Sequence, residues 1–218
     1  MVRQAGLTQQ GQCLDLCCGT GDIAERLARA VPQGQVIGAD FSAQMLQCAQ
    51  QRLTPFANVI LVRADALQLP FPSQYFDAVT IGYGLRNLQN LEAGIQEIWR
   101  VLKPGGVLVS LDVGKVKLPG LAWFFHLFFF YGVPWIGKRL SPNQEMFDYL
   151  PHSSVTYPSQ ETLKRMMLQL GFQQVDILDF MFGLLLYMWP TKEISCSCVF
   201  QYRRWLDQKL LGRCEEWY

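Results

Sequence analysis

The stretch CLDLCCGTGD, residues 13–22, decides the fold of this chain. Its apolar start, residues 13–16, predicts a short buried strand, and the glycines at positions 19 and 21 predict a tight turn. A helix is expected to follow directly, from about Asp22 to Val31, with its apolar residues on one face. A buried strand that passes through a glycine-rich turn into an amphipathic helix is typical of an α/β domain.

The alternation of strand and helix continues through the first half of the chain. Further strands are predicted at residues 36–40, 59–62, 76–81 and 107–112. Helices are predicted after Ser42, which is a suitable N-cap, and over residues 91–102, where the turn Lys103–Gly106 ends the helix. A helix near 159–170 and strands near 175–178 and 184–189 follow. This order predicts a mostly parallel sheet with helices on both faces.

The composition limits the classes of function. The chain has 218 residues, of which 50% are hydrophobic, 13% aromatic and only 17% charged, with a formal net charge of +1. This length fits one domain, and these fractions exclude a disordered, coiled-coil or collagen-like protein. The near-neutral charge gives no indication of a nucleic-acid partner. Few charges and many aromatic residues instead favour an apolar ligand or contact with a membrane.

The cysteines and histidines exclude most metal chemistry. There are seven cysteines, without a C-x-x-C pair, and only two histidines. Neither a three-histidine site nor a zinc-finger spacing can be formed, so no metal is expected. The odd number of cysteines, without a secretory signal pattern, indicates a reducing compartment such as the cytoplasm, and we expect the thiols to be structural.

Four candidate binding segments follow predicted strands. They are the loop 17–22, Asp40, Asp65 and the loop 82–87, and in parallel sheets ligands bind at this carboxyl edge. A carboxylate in the position of Asp40 accepts both hydroxyls of a ribose, and Asp65 could accept the adenine amino group. The glycines allow a ligand close to the backbone, and Thr20 adds a hydroxyl. The edge therefore predicts an adenosine-containing cofactor.

An aromatic segment separates the two halves of the chain. Residues 121–137, LAWFFHLFFFYGVPWIG, contain no formal charge, and lysine or arginine flanks both ends. Three interpretations are open: a transmembrane helix, a buried helix packed on the sheet, or an aromatic lid that forms a lipid-like pocket or dips into a bilayer surface. The segment is short for a membrane span and is interrupted by glycine and proline, so we favour the lid.

These motifs together resemble a known family. LDLCCGTGD, VIGAD ending at Asp40, DALQLPF from Asp65, GYGLRN over 82–87 and RVLKPGG over 100–106 resemble the class I methyltransferases that use S-adenosyl-L-methionine. GLRN and the later TLKRMM are similar, more narrowly, to the UbiE/MenG quinone C-methyltransferases. The paired cysteines and the GY before GLRN resemble the phylloquinone enzymes of oxygenic phototrophs.

The resemblance implies an α/β Rossmann-like fold with a mostly parallel seven-stranded sheet and helices on both faces. It implies a methyltransferase domain over residues 1–192, with the aromatic lid as an insert at about 115–158, and an extra C-terminal tail over 193–218. Relatives carry a longer segment before the first strand, so an N-terminal segment is expected to be missing here.

The resemblance also implies site residues. Cofactor contacts are expected at Asp15, Cys17, Gly19, Thr20, Gly21, Asp40, Phe41, Asp65, Ala66 and Gly82. Gly82 lies where relatives have a serine, so only its backbone can contribute. Arg86 is expected to stabilise a quinolate, with Asn87 orienting it and His152 as a candidate base. For Arg86 the alternative is a salt bridge that organises the loop.

The expected function is C-methylation of a prenylated naphthoquinol, demethylphylloquinol or demethylmenaquinol, in quinone biosynthesis, leaving S-adenosyl-L-homocysteine. The expected partners are the quinol, a membrane surface (thylakoid or plasma membrane) bound peripherally from the cytoplasm, and a second copy in a homodimer. The alternatives are a methyltransferase for ubiquinone, plastoquinone, tocopherol or sterol precursors, and an inactive remnant that binds the cofactor. A dehydrogenase is disfavoured, because the loop lacks the third glycine of the dinucleotide fingerprint.

Overall fold

A computed structural model describes residues 1–115, 157–180 and 185–192. Its strands are β1 (Gln12–Leu16), β2 (Gln35–Asp40), β3 (Val59–Arg63), β4 (Phe76–Gly82), β5 (Leu102–Val113), β6 (Phe172–Phe180) and β7 (Leu185–Lys192). The helices in these ranges are α1 (Asp22–Ala30), α2 (Ala43–Leu53), α3 (Leu91–Val101) and α4 (Gln160–Gln169), with short 3₁₀ turns at Val2–Ala5 and Leu85–Asn87.

The strands form one seven-stranded sheet in the order β3-β2-β1-β4-β5-β7-β6. The first five strands are mutually parallel, and β7 is antiparallel to both β5 and β6. The expected α/β, Rossmann-like, mostly parallel sheet is confirmed. Because the chain order reverses between β1 and β4, the crevice beside these two strands is the topological switch point where such folds bind ligands.

Side-chain caps set the helix starts that the sequence indicated. The hydroxyl of Ser42 accepts from the Met45 N–H at 3.3 Å, and Asn90 Oδ1 accepts from the Ala93 N–H at 3.0 Å. Ser159 accepts in the same way from the Thr162 N–H at 3.3 Å. Each cap satisfies one of the backbone donors that a helix leaves unpaired at its first turn.

Each face of the sheet carries its own apolar core. On one face, side chains such as Leu14, Leu16 and Val79 pack with α3 and α4. On the other, Cys13 and Val36 pack with α1 and α2. The assignment follows from the strand period of two, which sends alternate residues to opposite faces, so helices cover both sides of the sheet as expected.

The sequence-based description of the turn at Lys103–Gly106 needs correction. We expected the strand to begin at Val107, but β5 begins at Leu102, which pairs with Phe76, and pairing resumes at Val107 with Ala78. Residues 103–106 form an irregularity within the strand, not a turn before it. Gly105, with φ of +78°, allows the detour, and a Cβ on Gly106 would lie 2.8 Å from the Lys103 carbonyl oxygen.

Several expectations fall outside the described residues. They concern the aromatic segment 121–137, residues 116–156 of the proposed insert, His152 and the tail 193–218. Within the described ranges, every helix is too short or too polar to cross a membrane.

Candidate functional site

The carboxyl edge of the sheet has two sides. We call the loop 17–22 with Asp15, Asp40 and Asp65 the β1–β2 side, since these residues lie in or follow the first three strands. We call the loop 82–87 with Asp112 and Tyr157 the β4–β5 side.

The loop after β1 has the backbone of a ligand cradle. Cys17, Gly19 and Gly21 all have positive φ, at +53°, +54° and +85°. These left-handed residues let the chain turn back on itself: the Cys18 N–H donates to the Ala39 carbonyl oxygen at 3.0 Å, and the Gly21 N–H donates to the Cys18 carbonyl oxygen at 2.9 Å. The turn opens directly into α1, whose N-terminus adds its partial positive charge.

The two glycines of this loop have different surroundings. A Cβ on Gly21 would lie 2.9 Å from Leu53 Cδ1, so this glycine permits the close packing of the loop on α2. A Cβ on Gly19 would meet nothing within 4 Å. The space beside Gly19 is therefore open to a ligand that approaches the backbone.

Asp40 links the loop to α2 from the end of β2. Its Oδ2 accepts from the Gly19 N–H at 2.9 Å, and its Oδ1 accepts from the Ser42 N–H at 2.9 Å. The carboxylate is half-buried. A carboxylate has about four acceptor positions, so each oxygen keeps one for a ligand hydroxyl while the two backbone bonds fix its orientation. This geometry is compatible with binding of the two hydroxyls of a ribose, and that contact stays a prediction.

The other predicted contacts on this side are more open. Phe41 is 69% exposed, with the Arg63 guanidinium 5.7 Å from its ring centroid. Asp65 is exposed and accepts from the Leu67 N–H at 2.9 Å, whereas Ala66 is buried. The Thr20 hydroxyl donates to Asp22 Oδ2 at 2.8 Å and faces solvent. An exposed aromatic ring beside a backbone-anchored aspartate suits a flat heterocycle.

Asp15 lies beneath the loop and is fully buried. Its Oδ1 accepts from the Thr80 hydroxyl at 2.7 Å. Burial raises the pKa of Asp15 to about 7; the Thr80 hydroxyl and the Ala24 backbone N–H partly offset this rise, and the charges of Asp40 and Asp22 add to it. Among the described residues, no cation contacts this carboxyl group, so it stays protonated until the pH approaches neutrality. Its position beneath the loop gives it a supporting role.

Three cysteines of this region are poor nucleophiles. Cys13, Cys17, Cys18 and Cys48 are free thiols, of which Cys48 is exposed. Burial raises the pKa of Cys13 and of Cys17 to about 12, and it raises the pKa of Cys18 as well. Because the thiolate is the nucleophile, Cys13, Cys17 and Cys18 fill space and do not react, which is the structural role expected for them.

The β4–β5 side packs directly against the β1–β2 side. A Cβ on Gly84 would lie 2.7 Å from Cys17 Cβ and 2.8 Å from Ile81 Cγ1. A Cβ on Gly82 would lie 2.6 Å from Ile23 Cδ1, the mobile end of a side chain on α1. The glycines of GYGLRN thus let the two loops approach each other, and Gly82 offers the site only its backbone, as expected.

Arg86 forms a buried ion pair with Asp112. Its Nη1 lies 2.5 Å from Asp112 Oδ1, and its backbone N–H donates to Oδ2 at 3.2 Å. The two side chains are 8% and 1% exposed. The Tyr83 ring lies 5.3 Å from the guanidinium carbon. The structure thus shows the alternative interpretation of Arg86, a salt bridge that organises the loop, and its role in stabilising a quinolate stays a prediction.

Asn87 closes the same loop. Its Nδ2 donates to the Tyr83 carbonyl oxygen at 3.0 Å, and its side chain is exposed. Tyr83 has a φ of +58°, which a non-glycine residue rarely adopts, and the hydrogen bond from the Asn87 side-chain amide stabilises this conformation. This hydrogen bond supports a role for Asn87 in shaping the loop. Its predicted role in orienting Arg86 stays a prediction.

Sequence reasoning missed Asp112 and Tyr157. Asp112 lies near the carboxyl end of β5, as Asp40 does in β2, so the rule applied to Asp40 could have found it. Tyr157 is 4% exposed, and its hydroxyl has no hydrogen-bond partner among the residues that the structure describes. No motif precedes Tyr157, and its place follows only from the fold, so no signal in the sequence points to it.

The β1–β2 side fits S-adenosylmethionine. The open space at Gly19, the two free acceptor positions of Asp40 and the exposed ring of Phe41 all lie at the carboxyl edge of β1 and β2. Gly19 and Thr20 lie where the amino-acid part of such a cofactor would contact the turn, and Asp65 and Ala66 lie beyond Asp40 on the adenine side.

Comparison with known proteins also indicates a methyltransferase. The model of the ubiE/COQ5 methyltransferase family matches residues 1–192. The demethylmenaquinone methyltransferase of Leptospira interrogans is 49% identical over 175 residues, 78% of this chain and 70% of that protein. The enzyme of the same name from Staphylococcus aureus is 39% identical over 184 residues, 84% of this chain and 76% of that protein.

Solved structures share the fold. The crystal structure of a SAM-dependent methyltransferase from Aquifex aeolicus superimposes with a TM-score of 0.64 at 16% identity, over 87% of this chain and 86% of that one. At this identity the likeness concerns the fold alone.

Proposed function

The chain belongs to the ubiE/COQ5 methyltransferase family, and from that premise we propose that it methylates a ring carbon of demethylmenaquinol to give menaquinol. It is an S-adenosylmethionine-dependent methyltransferase. The proposed acceptor rests on the demethylmenaquinone methyltransferases that it resembles at 39–49% identity.

The cofactor supplies a methyl group activated by its sulfonium, and transfer leaves S-adenosylhomocysteine. The protein's part is to hold donor and acceptor in line. On the β1–β2 side, Asp40 would hold the ribose hydroxyls through its two remaining acceptor positions, and Phe41 would pack against the adenine. The turn at Gly19 receives the amino-acid end.

One observation carries the choice of acceptor: the buried Arg86 guanidinium, held by Asp112 at the end of β5. A quinol carbon becomes a strong nucleophile when a neighbouring hydroxyl loses its proton, because the oxyanion pushes electron density into the ring. A fixed cation in a poorly solvated site stabilises such an oxyanion much more than water-exposed charge does. Arg86 is placed to do this, and Asn87 keeps its loop in shape.

The proton of the quinol hydroxyl must leave before the new carbon–carbon bond forms, and the ring hydrogen leaves afterwards to restore aromaticity. Burial raises the pKa of the Cys17 thiol to about 12, so it does not suit this task, and Asp15 is fully buried beneath the loop with its Oδ1 already accepting from the Thr80 hydroxyl. We retain His152 as the proposed base, with a water relay as the alternative.

The finer identity of the acceptor is also a proposal. The paired cysteines and the GY before GLRN favour a phytylated naphthoquinol, so we propose demethylphylloquinol as a substrate beside demethylmenaquinol. Burying one CH₂ contributes about 0.8 kcal/mol, so a long apolar tail supplies much of the binding. Because such a substrate is insoluble, we propose that the protein binds peripherally to a membrane surface through the segment 121–137. We also propose that it acts as a homodimer.

The test is methyl transfer from radiolabelled S-adenosylmethionine to a panel of quinols kept reduced by dithionite. The panel contains demethylmenaquinol, 2-phytyl-1,4-naphthoquinol, a demethylated ubiquinol precursor and a tocopherol precursor. We expect turnover of the two naphthoquinols and at least a tenfold lower kcat/KM for the others. Transfer to the ubiquinol or tocopherol precursor at equal rate would contradict the naphthoquinol assignment. Binding of S-adenosylhomocysteine without any turnover would indicate the inactive remnant.

A further inference from the structure

The β4–β5 side contains two buried polar groups without partners. Within the described residues, neither Arg86 Nε nor the hydroxyl oxygen of Tyr157 makes a hydrogen bond. Both side chains are more than nine-tenths buried. A polar group that is buried without a partner destabilises the fold, so folded proteins rarely keep two of them in one place without a use.

The two groups belong to one neighbourhood. The charges of Asp112 and Arg86 both act on the Tyr157 hydroxyl. Three residues after Tyr157, the Gln160 side chain donates to the Lys115 carbonyl oxygen at 3.0 Å, just beyond the end of β5. This bond ties the start of α4 to the same carboxyl edge at which Asp112 holds Arg86. Tyr157 and Leu85, the neighbour of Arg86, also lie in one apolar cluster.

Their chemistry selects the ligand. Arg86 Nε carries a hydrogen and cannot accept. Burial raises the pKa of Tyr157, and the nearby Asp112 raises it further, while Arg86 lowers it. The phenol therefore stays protonated in the working pH range and acts as a donor, not as a base. Two buried donors beside a paired cation suit an oxygen acceptor that carries negative charge.

We propose that Tyr157 is a substrate-contacting residue whose hydroxyl, together with Arg86 Nε–H, donates a hydrogen bond to the ring oxygen of the quinol acceptor. This inference rests on the proposed function and adds the second donor of its oxyanion site. Asp112 is the positioning residue of the pair, because its carboxylate accepts from both the backbone N–H and the guanidinium of Arg86.

The test is Tyr157→Phe, which removes one hydroxyl and keeps the ring in its core. The matched control is Tyr75→Phe. Tyr75 is half-buried, its ring stacks edge-on against Phe76 with 4.9 Å between centroids, and it precedes β4 at the opposite edge of the sheet. We expect Tyr157→Phe to lower kcat/KM for the naphthoquinol by about 10- to 100-fold, since single oxyanion donors have effects of this size or larger.

Three further readouts separate substrate contact from packing. The affinity for S-adenosylhomocysteine should stay unchanged and the melting temperature should be equal or higher, because an unpaired buried hydroxyl has been removed. The acid limb of the kcat profile should move to higher pH by about one unit for a tenfold loss of oxyanion stabilisation. Tyr75→Phe should match the wild type throughout.

Wild-type kcat/KM and an unshifted pH profile in Tyr157→Phe would overturn the inference and leave the proposed function standing. So would a loss of activity that follows a loss of S-adenosylhomocysteine binding, because the residue would then be structural. A wild type that neither binds 2-methyl-1,4-naphthoquinol nor methylates either naphthoquinol contradicts the proposed function and, with it, this inference.

Discussion

Each side of the carboxyl edge buries an aspartate completely, and the two are neutralised in different ways. On the β1–β2 side, Asp15 has a hydroxyl partner and a raised pKa of about 7. On the β4–β5 side, Asp112 faces the guanidinium of Arg86 at 2.5 Å. The first is part of a scaffold beneath a backbone cradle. The second holds a cation in place, which in the proposed reaction stabilises the negative charge on the acceptor.

The first side is built mainly by backbone groups and the second mainly by side chains. The β1–β2 side depends on left-handed residues at 17, 19 and 21 and on backbone N–H groups bound to Asp40. The β4–β5 side depends on an ion pair between residues 26 positions apart. Changes to side chains should therefore disturb the second side more than the first.

The largest effect is expected from Asp112→Ala. This change leaves the Arg86 guanidinium buried without its partner, which costs about 3–5 kcal/mol of the free energy of unfolding. Urea denaturation measures it. The matched control is Lys103→Ala, which breaks a 2.8 Å pair with Asp77 whose side chains are 38% and 40% exposed, and should cost less than about 1 kcal/mol. Equal losses in the two variants would contradict the distinction between the sides.

A somewhat smaller effect is expected from the titration of Asp15. Its pKa is about 7 when folded and 3.8 in the reference state, so the folded protein holds the extra proton between these values. Stability from this group is therefore greatest at low pH and falls as the pH rises from about 4 to about 7, by up to about 4 kcal/mol.

Asp15→Asn lacks this titration and keeps an oxygen for the Thr80 hydroxyl. The difference in unfolding free energy between wild type and variant, measured by urea denaturation at pH 5 and pH 8, should shift in favour of the variant at the higher pH. A difference that does not change with pH would mean that Asp15 is not held protonated.

The smallest effect is expected where the two sides touch. Gly84→Ala places a methyl group 2.7 Å from Cys17 Cβ and should destabilise by about 1–3 kcal/mol. Adding Cys17→Gly removes that obstacle and also relieves a φ of +53°, so the double variant should recover part of the loss, while Ile81 Cγ1 stays 2.8 Å from the new methyl group. Thermal unfolding of the single and double variants measures this coupling. Additive losses would show that the loops do not meet as described.

The sequence was a good guide to the β1–β2 side. The spacing of strand, glycines and helix predicted the turn, and Asp40 lies where a strand-end rule places it. The β4–β5 side was predicted in part, because Arg86 was found within a motif but its partner Asp112 lies on another strand. Pairing between distant residues is set by sheet order, which no local pattern encodes. The start of β5 was misplaced for a similar reason. Leu102 pairs with Phe76 on β4, although a proline and two glycines follow Leu102 in the sequence.

The most direct test of the central claim compares Asp40→Asn with Arg86→Lys in one assay, with folding of both checked by circular dichroism. Arg86→Lys keeps a cation for Asp112. The account predicts that Asp40→Asn weakens S-adenosylhomocysteine binding at least tenfold, in calorimetric titration, with little change in KM for the naphthoquinol. It predicts that Arg86→Lys binds S-adenosylhomocysteine like the wild type but loses about 100-fold in kcat/KM. If Arg86→Lys weakens S-adenosylhomocysteine binding as much as Asp40→Asn does, the division of the edge into a cofactor side and an acceptor side is wrong.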